Sequence, residues 1–270
     1  MEIVNVICIK WGTLYSPADV NRLKNTVVAN TSRSVKFHCF TDSSDGLDDD
    51  IAVLPIPEVK VDARGIFKRE TAFFTKNLGG LDGQRVFYFD LDVLVVNPLD
   101  DLFAYPTDDA FYIIDDWASK GHTVGQGSCF SWVIADSYND ITTDYEENKA
   151  QIDMKYGSAS QEYLSDKIIE KQGALKFWPE GWFRSFRFHC LPHPVMRYFQ
   201  VPPRPTAPEL KVIVFHGTPN PQDALVGKWP SKSKHRWKIW KKIIQACASD
   251  AVDCRILEIK PCARVRSSKT

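Results

Sequence analysis

No apolar run in this sequence approaches the roughly 20 residues a helix needs to cross a bilayer, so no membrane-spanning helix is expected. The opening Met1-Glu2-Ile3-Val4-Asn5 has no basic stretch leading into a long apolar one, and no secretory signal is expected there. Net charge is missing as well. Thirty-four Lys and Arg balance 34 Asp and Glu, which speaks against bulk electrostatic attraction to nucleic acid. Internal repeats and low-complexity tracts are absent, so a repeat architecture is not expected. Paired cysteine frames are absent too: the seven cysteines are odd in number and scattered, which predicts reduced thiols, no disulfides and a cytoplasmic setting.

What the sequence has is enough material for a large core, with 44% hydrophobic residues in 270. Charge is distributed unevenly along it: five aspartates lie between Asp42 and Asp50, whereas residues 211–270 carry thirteen Lys and Arg against four acids. Strand and helix patterns alternate. Residues 3–9 form an apolar run, and Val20, Leu23, Val27 and Val28 recur at helical spacing within 18–29. Residues 35–41 and 86–89 read as strands, with a helix over 68–77 closed by Gly79-Gly80. Later strands are expected over 111–114, 129–135 and 211–215, with a helix over 161–171. Residues 201–208 are proline-rich and read as a connector, and a closing amphipathic helix begins at Trp237. The alternation predicts an α/β layer with a mostly parallel sheet, which binds ligands at the carboxyl ends of its strands.

The most informative segment is Val86-Phe87-Tyr88-Phe89-Asp90-Leu91-Asp92-Val93-Leu94-Val95-Val96. In an extended chain, residues two apart share a face, so Asp90 and Asp92 are expected to project to one point while Leu91 packs inward. Two carboxylates that close need a cation, a shared proton or open water. Mn²⁺ or Mg²⁺, completed by diphosphate oxygens, meets that need. The plainer alternative is a strand ending at a solvated acidic turn, since Asn97-Pro98-Leu99-Asp100-Asp101 follows. A second cluster is Val212-Ile213-Val214-Phe215-His216-Gly217. Its histidine leaves an apolar strand, and its glycine allows close backbone approach, a combination suited to a metal and a phosphate.

These segments, together with Leu99-Asp100-Asp101-Leu102-Phe103, resemble the GT-A fold glycosyltransferases related to family 8, the glycogenin and bacterial lipopolysaccharide galactosyltransferase type. The resemblance spans roughly residues 3–222. It implies a Rossmann-like GT-A catalytic domain over 1–222, and the basic amphipathic helix and tail read over 223–270 are expected to pack on that domain. It also implies metal ligation by Asp90, Asp92 and His216, and a nucleotide diphosphate sugar donor, UDP-sugar above all. Donor contacts are expected from Lys10, Trp11, Gly12, Tyr15, Asp42, Lys68, Asp90, Leu91, Gln126, Gly127, Ser128, His216 and Gly217. Gln161 and Glu162 resemble the Asp-Gln pair beside the reaction centre, and Asp116 joins them as a candidate catalytic group, with Asp115 beside it as a further hydroxyl binder. Ser160 stands where the family has aspartate. Asn220 stands where a lysine often precedes proline, so Lys228 is expected to face the diphosphate instead. The acceptor implied is a hydroxyl of a glycan, a lipid-linked sugar or a protein, with retention of configuration.

Competing readings remain open at this point. A haloacid dehalogenase-type phosphatase would use Asp90 as nucleophile, although Leu94 replaces its usual Thr or Val and ninety residues precede the motif. A third reading is a nucleotide-sugar-binding protein of the same fold without turnover. His189, Cys190 and His193 lack a paired zinc-ligand frame, and Cys247, Cys254 and Cys262 are too widely spaced for one. The basic stretch 228–242, with Trp229, Trp237 and Trp240, suits either an anionic membrane surface or a solvated helix face, the latter being the commoner case.

Overall fold

The computed structural model describes residues 3–61, 68–193 and 207–225, with backbone alone at 68–70 and 225. The expected proline-rich connector up to residue 206, the closing helix, Lys228 and the last three cysteines lie outside those residues. So does the basic stretch 228–242.

The chain opens with β1 (Val4–Lys10), α1 (Pro17–Ala29), β2 (Val35–Thr41) and β3 (Ala52–Pro55). Every residue of β1 is buried, as a strand covered on both faces requires. Its alternation divides the core. Val4, Val6 and Cys8 pack with Val20, Leu23 and Val27 of α1, while Ile7 and Ile9 turn to the opposite face. The start of α1 is fixed by a capping box between Ser16 and Asp19 and by Pro17 in its first turn. The acidic segment of the sequence is partly explained here: the Lys24 ammonium reaches Asp48 at 2.9 Å and Asp50 at 2.8 Å, tying the 42–50 loop to α1.

Next come α2 (Lys68–Phe73), β4 (Arg85–Phe89), β5 (Val93–Val95), α3 (Asp100–Ala104), β6 (Tyr112–Asp115) and β7 (Gly125–Val133). The helix expected over 68–77 closes at Phe73. Phe74 is drawn among Phe111, Phe130 and Trp132, and Asn77 has φ 55°, which no helix continues through. Gly79 follows at φ 59°, where a Cβ would lie 2.6 Å from Leu54 Cδ1. The described part ends with α4 (Asn139–Tyr156), α5 (Ser160–Gln172), β8 (Lys176–Phe177), β9 (Phe183–Ser185), β10 (Val212–Val214) and α6 (Pro221–Leu225).

Seven strands form the main sheet in the order β3-β2-β1-β4-β7-β6-β8. The run from β3 to β4 is parallel, β7 lies antiparallel to both neighbours, and β8 is parallel to β6. A second sheet, β5-β10-β9, shares the first core cluster on one face through Val93, Val95, Val212 and Val214. Its other face packs Leu94 and Ile213 against Phe186, Leu210 and Phe215. The step from β4 to β5 therefore carries the chain from one sheet into the other.

Candidate functional site

That step is where Asp90 and Asp92 lie. They do not sit in extended chain, as their spacing of two suggested. β4 ends at Phe89, and Asp90-Leu91-Asp92 form a turn before β5. The reason is topological: Val93 must pair with Val214 in the second sheet, so the chain leaves the first sheet at the aspartates. Backbone bonds fix both ends of the turn. Asp90 N–H donates to the Ser128 carbonyl at 2.9 Å, and Phe215 N–H donates to the Asp92 carbonyl at 3.1 Å. In the middle, Leu91 is buried in the first core cluster and its carbonyl accepts from Arg22 Nη2 at 2.6 Å.

Both carboxylates are half-buried. Tyr88 donates its hydroxyl to Asp90 Oδ1, and Tyr15 donates to Asp92 Oδ2 at 3.3 Å. Burial, followed by the charges of Asp92 and Asp90, raises the Tyr15 hydroxyl well above its ordinary range. The buried thiols of Cys8 and Cys129 are raised by burial first, and the field of Asp90 adds to it. The turn is thus a concentrated negative site at the carboxyl end of β4, a donor set of hard oxygens that fits Mn²⁺ or Mg²⁺.

Topology brings His216 close to this turn, because it follows the residue bonded to Asp92. Its side chain is engaged elsewhere. Nε2 lies 2.7 Å from Ser185 Oγ, and the ring stacks on Trp117 with centroids 5.7 Å apart and sits 5.2 Å from Phe188. Among the described residues no group of three or more His, Cys, Asp or Glu is drawn together as a metal cluster. The three expected ligands therefore do not converge as placed; the two aspartates share the turn and the imidazole is held beside it. Burial lowers the His216 pKa, with Asp116 opposing and Arg187 reinforcing that shift.

The loop after β1 stands next to the turn, because β1 is the parallel neighbour of β4, and the loop after β2 lies one strand further out, β2 being paired with β1. Gly12, at φ 57°, donates its N–H to Asp42 Oδ2 at 2.8 Å, joining two of the expected donor-binding residues. Lys10 is buried at the end of β1, while Trp11 and Tyr15 pack against the second and first core clusters. Lys68 opens α2, and its side chain lies outside the described atoms. Gly217 adopts φ 70° directly after His216.

On the other flank, β7 runs antiparallel to β4 and delivers Gln126, Gly127 and Ser128, all buried, opposite Asp90. Gln126 and Ser128 bond each other twice: Ser128 N–H donates to Gln126 Oε1 and Gln126 Nε2 donates to Ser128 Oγ, each at 2.9 Å. The first turn of α5 is anchored to the same strand, since Gly125 N–H donates to Ser165 Oγ at 2.9 Å and that hydroxyl donates to the Gln161 carbonyl at 2.6 Å. Ser160 is buried there, and Glu162 Oε2 is a buried oxygen with no hydrogen-bond partner among the described residues. Asp116 is buried and organises its own loop, its Oδ2 accepting from Ser119 N–H at 2.9 Å and Ala118 N–H at 3.2 Å. Asp115 instead pairs with His122 at 2.5 Å.

Sequence reasoning missed Arg22, Trp117, Ser185 and Phe188. Trp117 was signalled only by its place after Asp115-Asp116, and nothing in the spacing singled out Ser185. Ser185 caps a π-helical turn, Phe186–Cys190, where its Oγ accepts from Phe188 N–H and its N–H donates to His189 Nδ1 at 3.0 Å. Cys190 packs into the third cluster. A cavity of about 880 Å³ lies at the opposite, amino-terminal edge of the main sheet, lined by Asn5, His38, Gln84 and Arg85 among others, and is separate from this site.

No family model matches the chain, and no curated protein matches it in sequence. Solved structures do match. The galactosyltransferase LgtC, in complex with donor and acceptor sugar analogues, superposes with a TM-score of 0.57 over 91% of this chain and 95% of its own, at 14% identity. The glycosyltransferase GlyE of Streptococcus pneumoniae TIGR4 gives a TM-score of 0.55 at 9% identity, covering 94% of this chain and 62% of GlyE. At such identities the likeness concerns the fold. The chain has the GT-A glycosyltransferase fold, with the mostly parallel, helix-flanked sheet that the motifs implied.

Proposed function

We propose that this chain is a metal-dependent glycosyltransferase, moving a sugar from a nucleotide diphosphate donor, a UDP-sugar first of all, to a hydroxyl acceptor. The observation that carries the reading is the Asp90-Leu91-Asp92 turn, half-buried at the junction of two sheets with the His216 segment bonded to its end. It lies at the carboxyl ends of the strands, where open α/β sheets bind ligands. LgtC, solved with donor and acceptor sugar analogues, supports the same chemistry by its fold.

In this reading Asp90 and Asp92 hold Mn²⁺ or Mg²⁺, and His216 is the imidazole assigned to it. The ion, when bound, offsets the charge that develops on the departing diphosphate. Trp11, Gly12, Tyr15 and Asp42 receive the nucleoside, Lys10, Lys68 and Lys228 are the cations assigned to phosphate, and Gln126, Ser128 and Asp116 orient the donor sugar. Gln161 and Glu162 stand beside the anomeric carbon; with Ser160 in place of aspartate, Glu162 is the first carboxylate of α5. Transfer retains configuration, the acceptor hydroxyl belonging to a glycan, a lipid-linked sugar or a protein. The reading includes a cytoplasmic setting, with the basic stretch 228–242 as the candidate surface for any peripheral membrane contact. Among the described residues no helix is long and apolar enough to cross a membrane.

The phosphatase reading draws no support from the structural neighbours. A product assay separates the alternatives. Incubation with UDP-hexoses and Mn²⁺ is expected to release UDP and glycosylate a free-sugar acceptor, and Asp90→Asn is expected to abolish both. Release that persists in Asp90→Asn contradicts the proposal, and so does turnover of a simple phosphomonoester in place of every UDP-sugar.

A further inference from the structure

Arg22 lies in the second turn of α1, 69 residues from the segment it touches, yet its Nη2 donates to the Leu91 carbonyl at 2.6 Å. The side chain is 12% exposed, an unusual degree of burial for a guanidinium. Its counter-charge is Asp19, 3.6 Å away and 13% exposed. Asp19 is itself fixed at both oxygens. Oδ2 accepts from Ser16 N–H at 2.9 Å and from Ser16 Oγ at 2.8 Å, while Oδ1 accepts from Gln222 Nε2 at 3.0 Å. Gln222 belongs to α6, which begins five residues after His216. Tyr15, immediately before the helix cap, bonds Asp92.

The beginning of α1 therefore touches every segment assigned to the ion: the side chain of Asp92, the peptide between the two aspartates, and the chain that leads away from His216. The middle peptide of the turn sets the directions from which the two carboxylates leave the backbone, while Tyr88 and Tyr15 hold their outer ends. A charged, planar donor at the Leu91 carbonyl, paired at a second point with Asp19, fixes the orientation of that peptide.

We propose that Arg22 is a positioning residue that sets the Asp90-Leu91-Asp92 turn in its metal-binding geometry, with Asp19 as the hinge that links this setting to the His216 segment. The proposal rests on the reading that the turn grips a divalent ion with the donor diphosphate. A role confined to folding lowers stability and weakens UDP binding equally with and without metal. A positioning role reduces the metal-dependent part alone.

The test is calorimetric UDP binding with and without Mn²⁺ to the full chain and to Arg22→Met, which keeps the buried stem, and Arg22→Lys, which keeps the charge but not the fork. Thermal melting of each metal-free protein is recorded alongside. The ratio of UDP affinities with and without Mn²⁺ is expected to fall about tenfold in Arg22→Met and to a lesser degree in Arg22→Lys, with metal-free affinity unchanged. An unaltered ratio in Arg22→Met overturns the proposal. If that variant does not fold, an unaltered ratio in Arg22→Lys overturns it equally. If the unsubstituted chain shows no Mn²⁺ effect on UDP, the functional reading itself fails and Arg22 has no ion to position.

Discussion

His38 provides a stability prediction that the structure makes quantitative. The ring is buried on β2, its Nε2 lies 3.1 Å from Asn5 Oδ1, and Asn5 Nδ2 passes the chain on to Gln84 Oε1 at 2.9 Å. Burial, with Lys36 adding to it, pushes the imidazole down to about 4. An unfolded chain restores the ordinary value of about 6.5, so between those values the unfolded state binds the extra proton. Stability from this residue is then complete above about pH 6.5 and is lost as pH falls toward 4. Linkage over that shift gives about 2 kcal/mol between pH 7 and pH 5, and water entering from the adjoining cavity reduces it toward about 1 kcal/mol. Urea unfolding of the native chain and of His38→Gln, repeated from pH 7 to pH 5, isolates the term because all other carboxylates and histidines are common to both. The native chain is expected to lose about 1 to 2 kcal/mol more than the variant over that range. Parallel pH profiles would refute the buried, neutral His38.

Leu23 is 1% exposed between α1 and β1, so Leu23→Ala is expected to cost about 2–5 kcal/mol in chemical denaturation while leaving ligand affinity in the folded fraction unchanged. At Gly125 an added methyl would lie 2.5 Å from Ile113 Cδ1 and 2.7 Å from Cγ2, so Gly125→Ala is expected to destabilise by about 1–3 kcal/mol. Ile113→Ala should restore part of that loss in a double-mutant cycle, and strict additivity would count against the clash.

Much of the architecture could be read from hydrophobic period. β1, α1, β2 and β4 fell within a residue or two of their expected bounds because each buries a continuous or regularly spaced apolar set. The limits of such reading show at α4, whose eighteen residues are largely polar and bury only Ile141, Thr142, Tyr145 and Ile152. They show again at residues 86–96, where one apolar run conceals two strands of different sheets, since periodicity reports a buried face but not its partner. The aspartates and His216 stood out because charged or titratable groups interrupt apolar runs there. Arg22 and Ser185 did not, because an arginine on a helix and a serine after a strand have no distinctive chemistry until a distant carbonyl or imidazole is brought to them.

The central claim, that Asp90 and Asp92 grip an ion which in turn grips diphosphate, is tested most directly by thermal melting with UDP, with and without Mn²⁺. A ligand bound only by the folded chain and present at a hundred times its dissociation constant stabilises by about 2.7 kcal/mol, a rise of several degrees for a chain of this size. The account predicts that rise with Mn²⁺ in the native chain, and its loss on chelation and in Asp90→Asn and Asp92→Asn. Equal protection by UDP after chelation would contradict it.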